Sequence, residues 1–240
     1  MEKDQLKRII NYCELSYKHP SDVDINAFIF LEDKKTDAQC YIFYDYQTAY
    51  ITFRGTSSLK DWMADLKCST VSPDIYKDVR IQVHSGFYDQ YASLRKDIIL
   101  KILHLQYMYK IYNFVICGHS LGGALTTLCA LDLIMNDYLY DPIVVTIGAP
   151  RVGNTAFANQ YKQNIKNSFR LTNINDPIPY FPLTFRFHHP HKSLCYEKGI
   201  IVHKKRMRGF LTRLLAIFKN VRFHSAISNH SLDKYVDNFV

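Results

Sequence analysis

The sequence predicts an α/β fold, with a mostly parallel central sheet and helices on both of its faces. Two observations carry that expectation. From about residue 86 onward, apolar runs of strand length alternate with segments of helical periodicity, the pattern of parallel strands joined by crossover helices. In addition, seven of the nine glycines (Gly55, Gly86, Gly118, Gly122, Gly123, Gly148 and Gly153) fall just beyond predicted strand ends or in short turns that lead into helices. Glycine serves where the backbone needs unusual dihedrals or close approach. In open α/β sheets the rim beyond the carboxyl ends of the strands is where ligands bind.

An amphipathic helix near residues 4–17 opens the chain, followed by strands at 27–31, 40–44 and 49–53, the last ending at Arg54-Gly55. Residues 88–108 predict a helix, 112–117 a buried strand, 121–135 a helix, 143–147 a strand, 153–165 a helix and 169–172 a strand. No repeat, low-complexity segment or linker interrupts the chain, and its 240 residues are read as a single domain, 1–240.

Hydrophobic residues make up 48% of the chain and charged residues 22%, the balance of a globular protein that can bury a core without disulfides. The six cysteines show neither CxxC nor any other metal-ligand spacing and are read as reduced thiols. The charged N-terminal residues lack the apolar centre of a signal peptide, and no apolar run reaches the length that spans a bilayer. The expectation is a soluble intracellular chain, or one bound peripherally to a membrane. The net charge of +8 suggests an acidic partner, either nucleic acid or an anionic membrane surface.

The run Phe114-Val-Ile-Cys-Gly118-His-Ser120-Leu-Gly122-Gly123 reads as strand, sharp turn and helix. Within it, Gly118-x-Ser120-x-Gly122 is the nucleophile-elbow pattern, in which small neighbours let strand and helix approach around a strained serine. Placed first in its helix, Ser120 lies where backbone N–H groups favour developing negative charge. Asp176, after the strand at 169–172 and before Pro177, is at a strand exit where a carboxylate can fix the tautomer of a histidine. An Asx-turn ahead of the proline is the competing use of that carboxylate. Six histidines follow it in sequence: His188, His189, His191, His203, His224 and His230.

Beyond these residues the chain resembles the class 3, fungal-type triacylglycerol lipases, which have the α/β-hydrolase fold. The resemblance runs from about residue 53 to 235. It rests on Phe53-Arg-Gly-Thr-Ser-Ser-Leu-Lys-Asp-Trp-Met-Ala-Asp-Leu66, Val83-His-Ser-Gly-Phe87, Gly118-His-Ser-Leu-Gly-Gly-Ala124, Gly148-Ala-Pro-Arg-Val-Gly-Asn154 and Asp176-Pro-Ile-Pro179, in the family's order and spacing. It implies a catalytic triad of Ser120, Asp176 and His230, the last matching the family's final motif in Asn229-His-Ser-Leu-Asp-Lys-Tyr235. It also implies an oxyanion hole formed by Thr56 and the backbone N–H of Leu121, with Asp65 supporting Thr56. Where the family often carries a Gly- or Glu-rich stretch near the substrate groove, this chain has Pro190-His-Lys-Ser.

Residues 57–68 place Leu59, Trp62, Met63 and Leu66 at helical spacing among charged residues. A surface helix packed on the core is the ordinary reading of that pattern. In the family this segment is a lid whose apolar face covers the serine in water and turns outward at a lipid surface. The resemblance therefore implies a serine ester hydrolase acting on lipid esters through an acyl-enzyme, with no metal or organic cofactor. A phospholipase A1 or lysophospholipase would use the same machinery, a soluble feruloyl-type esterase would lack interfacial activation, and a non-catalytic member of the fold is disfavoured because every chemical role is filled.

The basic charge concentrates late in the chain. From Lys198 to Leu232 there is no acidic residue, and within 204–222 Lys204, Lys205, Arg206 and Arg208 precede an apolar stripe that includes Phe210 and Leu214. That pattern predicts a basic amphipathic helix able to anchor at an anionic membrane or a lipid droplet surface. No recognisable nucleic-acid fold accompanies it, and the apolar stripe suits acyl chains better than phosphates. Each basic residue near such a bilayer contributes about 1 kcal/mol. Replacing Lys204, Lys205, Arg206 and Arg208 together with Gln is therefore expected to abolish co-sedimentation with anionic vesicles, and undiminished sedimentation contradicts the anchor.

Overall fold

The computed structural model describes residues 1–56, 69–190, 193–197, 200–204 and 228–239. Helix α1 (Lys3–Leu15) is followed by strands β1 (Phe28–Asp33), β2 (Ala38–Tyr44) and β3 (Thr48–Phe53). A two-residue pair, β4 (Thr70–Val71) and β5 (Val83–His84), precedes helix α2 (Ser85–Tyr109). Strand β6 (Asn113–His119), helix α3 (Leu121–Met135), β7 (Ile143–Ile147), helix α4 (Thr155–Asn164) and β8 (Ser168–Asn173) then alternate. Strands β9 (Ser193–Glu197) and β10 (Ile200–Lys204) and helix α5 (Leu232–Phe239) complete the described elements.

The main sheet has eight strands in the order β1-β2-β3-β6-β7-β8-β9-β10. Strands β3, β6, β7, β8 and β9 run parallel, with antiparallel strands at each edge. Side chains alternate between the two faces, as strand geometry requires. Along β6, Phe114 and Ile116 enter the core beneath α2, α3 and α4, whereas Val115 and Cys117 enter the core beneath α1 and α5. Parallel strands covered in this way are apolar throughout, which is why 143–147 and most of 112–117 are legible as buried runs; Tyr112 and Asn113 are exposed.

Boundaries at the centre agree with the sequence closely; those at the periphery shift by a few residues. Helix α2 begins earlier than 88 because His84 caps it, its ring nitrogen accepting from the Phe87 N–H at 3.4 Å. Ser120 is the residue before the first turn of α3 and not its first helical residue, with φ 59° and ψ −128°. Lys204, expected at the start of a basic helix, is the last residue of β10. The rest of 204–222 and the whole of 57–68 lie outside the described residues. Among the described cysteines, Cys13, Cys40, Cys117 and Cys129 are buried free thiols, as expected. No helix among the described residues is long and apolar enough to cross a membrane.

One buried charge ties the helices of the first face together. Asp132 on α3 is fully buried and receives Arg95 of α2 through Nε at 2.6 Å and Nη2 at 3.0 Å, together with the Tyr91 hydroxyl and the Asn136 amide at 2.7 Å. A buried carboxylate is tolerated only with such complete satisfaction, and removing one partner strands the other. Asp132→Ala is expected to lower the unfolding free energy by about 3 kcal/mol in urea denaturation. Asp237→Ala, which breaks an exposed pair with Lys234, should cost less than about 0.5 kcal/mol. Equal effects of the two substitutions contradict this account.

Candidate active site

The register of the parallel strands brings their carboxyl ends to one rim. Phe53 pairs with Gly118, His119 with Ile147, and Ile147 with Leu171, so the residues that follow β3, β6, β7 and β8 emerge side by side. Those residues are Thr56, Ser120, Gly148 and Asp176.

The elbow is built by close backbone approach. A Cβ on Gly122 would sit 2.2 Å from the carbonyl oxygen of Phe53, so only glycine lets the first turn of α3 lie against the exit of β3. Ser120 is held by its own N–H, which donates to the Ile147 carbonyl at 2.9 Å. A serine at positive φ with this ψ costs about 1–3 kcal/mol and persists only where the surroundings over-determine it. Its Oγ is buried and has no hydrogen-bond partner among the described residues.

Asp176 is fully buried and uses both carboxylate oxygens. Oδ1 accepts from the Ile178 N–H at 2.9 Å, the Asx-turn anticipated before the proline. Oδ2 accepts from His230 Nδ1 at 2.7 Å and from the Tyr235 hydroxyl at 2.6 Å. The two readings of this residue therefore hold together, one on each oxygen. Because Nδ1 faces a carboxylate it carries the proton, which leaves Nε2 as the basic lone pair. His230 Nε2 is likewise buried without a partner among the described residues. A Cβ on Gly148, itself at φ +58°, would lie 2.9 Å from His230 Cε1 and 3.0 Å from Asp176 Oδ2. The imidazole is thus packed directly on the backbone beside the Ile147 carbonyl that holds Ser120. Orphaned polar atoms are rare in protein interiors and call for a reason; here two of them, a hydroxyl and an imidazole nitrogen, occur at one rim.

Residues 50–186 match the sequence model of the family described as lipase (class 3). The chain belongs to the class 3 lipase family. It is 38% identical to a lipase of Rhizomucor miehei over 145 residues, covering 57% of this chain and 38% of the relative. The chain spans about half the length or less of the curated relatives it matches first. Its fold superposes on a triacylglyceride lipase structure of Rhizomucor miehei with TM-score 0.76 and 27% identity, covering 92% of each chain. A second structure, of a triacylglycerol lipase whose catalytic centre is described as a serine-protease triad, gives TM-score 0.72 and 30% identity over 80% of this chain and 78% of that one.

Within this class 3 lipase fold, the residues expected in the oxyanion hole flank the elbow. Leu121 is the first residue of α3, where N–H groups have no partner inside the helix. Thr56 follows Gly55, and the Gly55 backbone lies against the His119 carbonyl. Asp65, Leu59, Trp62, Met63 and Leu66 lie outside the described residues, as do Lys205, Arg206, Arg208, Phe210, Leu214, His191 and His224. Of the other candidate histidines, His189 donates through Nε2 to the Pro179 carbonyl at 2.6 Å, and the His188 N–H donates to the Gly153 carbonyl at 2.8 Å; neither accompanies Asp176.

Three residues of the site were not singled out by sequence. Tyr235, five positions after His230 on α5, donates to Asp176 and accepts from the Asn173 N–H at 3.1 Å. Its burial beside Asp176 raises its pKa well above the usual phenol value, so it stays a donor. His119 and Tyr17 complete the surroundings of His230. Tyr235→Phe would strand the Asn173 N–H and remove one donor from Asp176. The unfolding free energy is expected to drop by about 1–3 kcal/mol in denaturant titration at neutral pH, and an unchanged value contradicts the placement of this hydroxyl.

Proposed function

We propose that this class 3 lipase domain, 1–240, is a serine carboxylic-ester hydrolase acting on lipid esters of the triacylglycerol type. The observation that carries the reading is the pair of unpartnered polar atoms, Ser120 Oγ on a strained elbow and His230 Nε2 on an imidazole fixed by Asp176. In this reading Ser120 Oγ attacks the ester carbonyl while His230 Nε2 takes its proton, and Asp176 stabilises the imidazolium. The N–H groups of Thr56 and Leu121 receive the oxyanion, a role in which one donor is typically worth about 100–1,000-fold in rate. His230 then protonates the departing alcohol, and water, activated by the same nitrogen, releases the fatty acid from Ser120.

Segment 57–68, with Leu59, Trp62, Met63 and Leu66, is assigned as the lid over this rim, and Asp65 as the support of Thr56. Segment 204–222 is assigned as the docking surface for anionic lipid. The similarity to triacylglycerol lipase structures supports an apolar ester substrate. The concentration of basic residues before His230 favours membrane phospholipids as the second substrate class, hydrolysed by the same residues.

The test combines labelling and turnover. The wild-type chain is expected to take up one fluorophosphonate per molecule and to hydrolyse a short-chain triacylglycerol, with the rate climbing once the ester exceeds its solubility. Ser120→Ala should do neither. Labelling or hydrolysis that survives Ser120→Ala contradicts the assignment.

A further inference from the structure

The hydrogen bonds around His230 continue beyond Asp176 in the opposite direction. The backbone carbonyl of His230 faces His119 Nε2 at 2.8 Å, and His119 Nδ1 faces the Tyr17 hydroxyl at 2.8 Å. Tyr17 follows the end of α1, and its hydroxyl packs against the backbone of Gly55, the residue before Thr56. The contact is tight, since a Cβ on Gly55 would lie 2.1 Å from that hydroxyl. A carbonyl only accepts, so His119 Nε2 carries the proton, Nδ1 is bare, and the tyrosine donates to it. The direction of both bonds is therefore fixed: Tyr17 O–H to His119 Nδ1, and His119 Nε2–H to the His230 carbonyl.

His119 immediately precedes Ser120, is 6% exposed, and packs its ring 4.5 Å from the His230 ring, 5.9 Å from Tyr17 and 6.3 Å from Tyr235. Burial, reinforced by the neighbouring His230, lowers its pKa well below the usual imidazole value. A neutral imidazole has one donor and one acceptor, and both are engaged. His119 thus has no nitrogen left for proton transfer, and its position beside the nucleophile must serve something else.

We propose that Tyr17 and His119 are positioning residues that clamp the His230 loop to the Gly55–Thr56 turn, holding the base and the oxyanion donor in one spatial relation about Ser120. The inference rests on the ester-hydrolase reading above. It adds that helix α1, distant in sequence from every residue of that reading, sets the turnover of the site. Displacing a reacting group by about 1 Å can cost 100-fold in rate, whereas ordinary loosening of a core lowers stability without changing the rate per folded molecule.

The test uses the full chain and a water-soluble p-nitrophenyl ester of a short fatty acid, with melting midpoints recorded so that rates refer to folded enzyme. Tyr17→Phe and His119→Phe keep the aromatic volume and remove the bonds. Each is expected to lower kcat about tenfold, the worth of one hydrogen bond expressed in rate, with KM changed by less than about twofold. Because one linkage is broken twice, the double variant should be no slower than the worse single variant. His119→Gln, which keeps an N–H donor toward the His230 carbonyl, should recover kcat to within about threefold of wild type. Unchanged kcat in Tyr17→Phe, or losses that multiply in the double variant, overturn the proposal. Ser120→Ala separates the two levels: hydrolysis that persists there refutes the parent reading and this one with it. Hydrolysis lost there but unchanged in both Phe variants refutes the clamp alone.

Discussion

A carboxylate sealed from water must find every partner inside the protein, and that requirement at Asp176 organises much of this molecule. The side chain has no exposure and accepts from Ile178, His230 and Tyr235. These donors come from its own turn, from the loop before α5 and from α5 itself. Meeting the requirement draws the end of the chain back over the sheet, so that Tyr235 and Phe239 fill the same core as α1. An ion with fewer partners would carry a desolvation penalty of several kcal/mol. The arrangement that satisfies the carboxylate also aligns the imidazole, so stability and the proposed chemistry draw on one set of bonds.

The opposite constraint applies at Ser120. There the backbone is held in an unfavourable conformation and the hydroxyl is left without a partner among the described residues. The two arrangements meet at Gly148, whose missing side chain admits the imidazole. The fully satisfied Asp132 network between α2 and α3 provides the contrast. The buried Asp132 carboxylate is paired on both oxygens, whereas Ser120 Oγ and His230 Nε2 at the rim have no partner among the described residues.

The centre of the fold was legible because its signals are local. The strand at 143–147 and the helix at 121–135 coincide with β7 and α3, being predominantly apolar runs. Strands β9 and β10 at one end of the sheet and the two-residue pair β4–β5 carry no such signal. Ser120 could be singled out from its glycine-flanked turn, while Asp176, which alone reads as an Asx-turn, and His230 among six histidines needed the family's motifs. Tyr17 could not be read at all. Its place depends on how α1 docks across the sheet, where its hydroxyl packs against the backbone of Gly55, and no pattern in residues 3–17 encodes that contact. His119 and Tyr235 stood inside recognised motifs, yet their partners lie 102 and 59 positions away in sequence.

The central claim is that Ser120, His230 and Asp176 form one proton-relaying line beside the N–H groups of Thr56 and Leu121. A crystal structure of the chain inactivated by an alkyl phosphonate tests it most directly. The account predicts phosphorus bonded to Ser120 Oγ, the anionic phosphonyl oxygen held by the Thr56 and Leu121 amides, and His230 Nε2 within hydrogen-bonding distance of the Ser120 oxygen. An adduct on another residue, or a His230 imidazole turned away from the phosphonate with no other imidazole in its place, would contradict it.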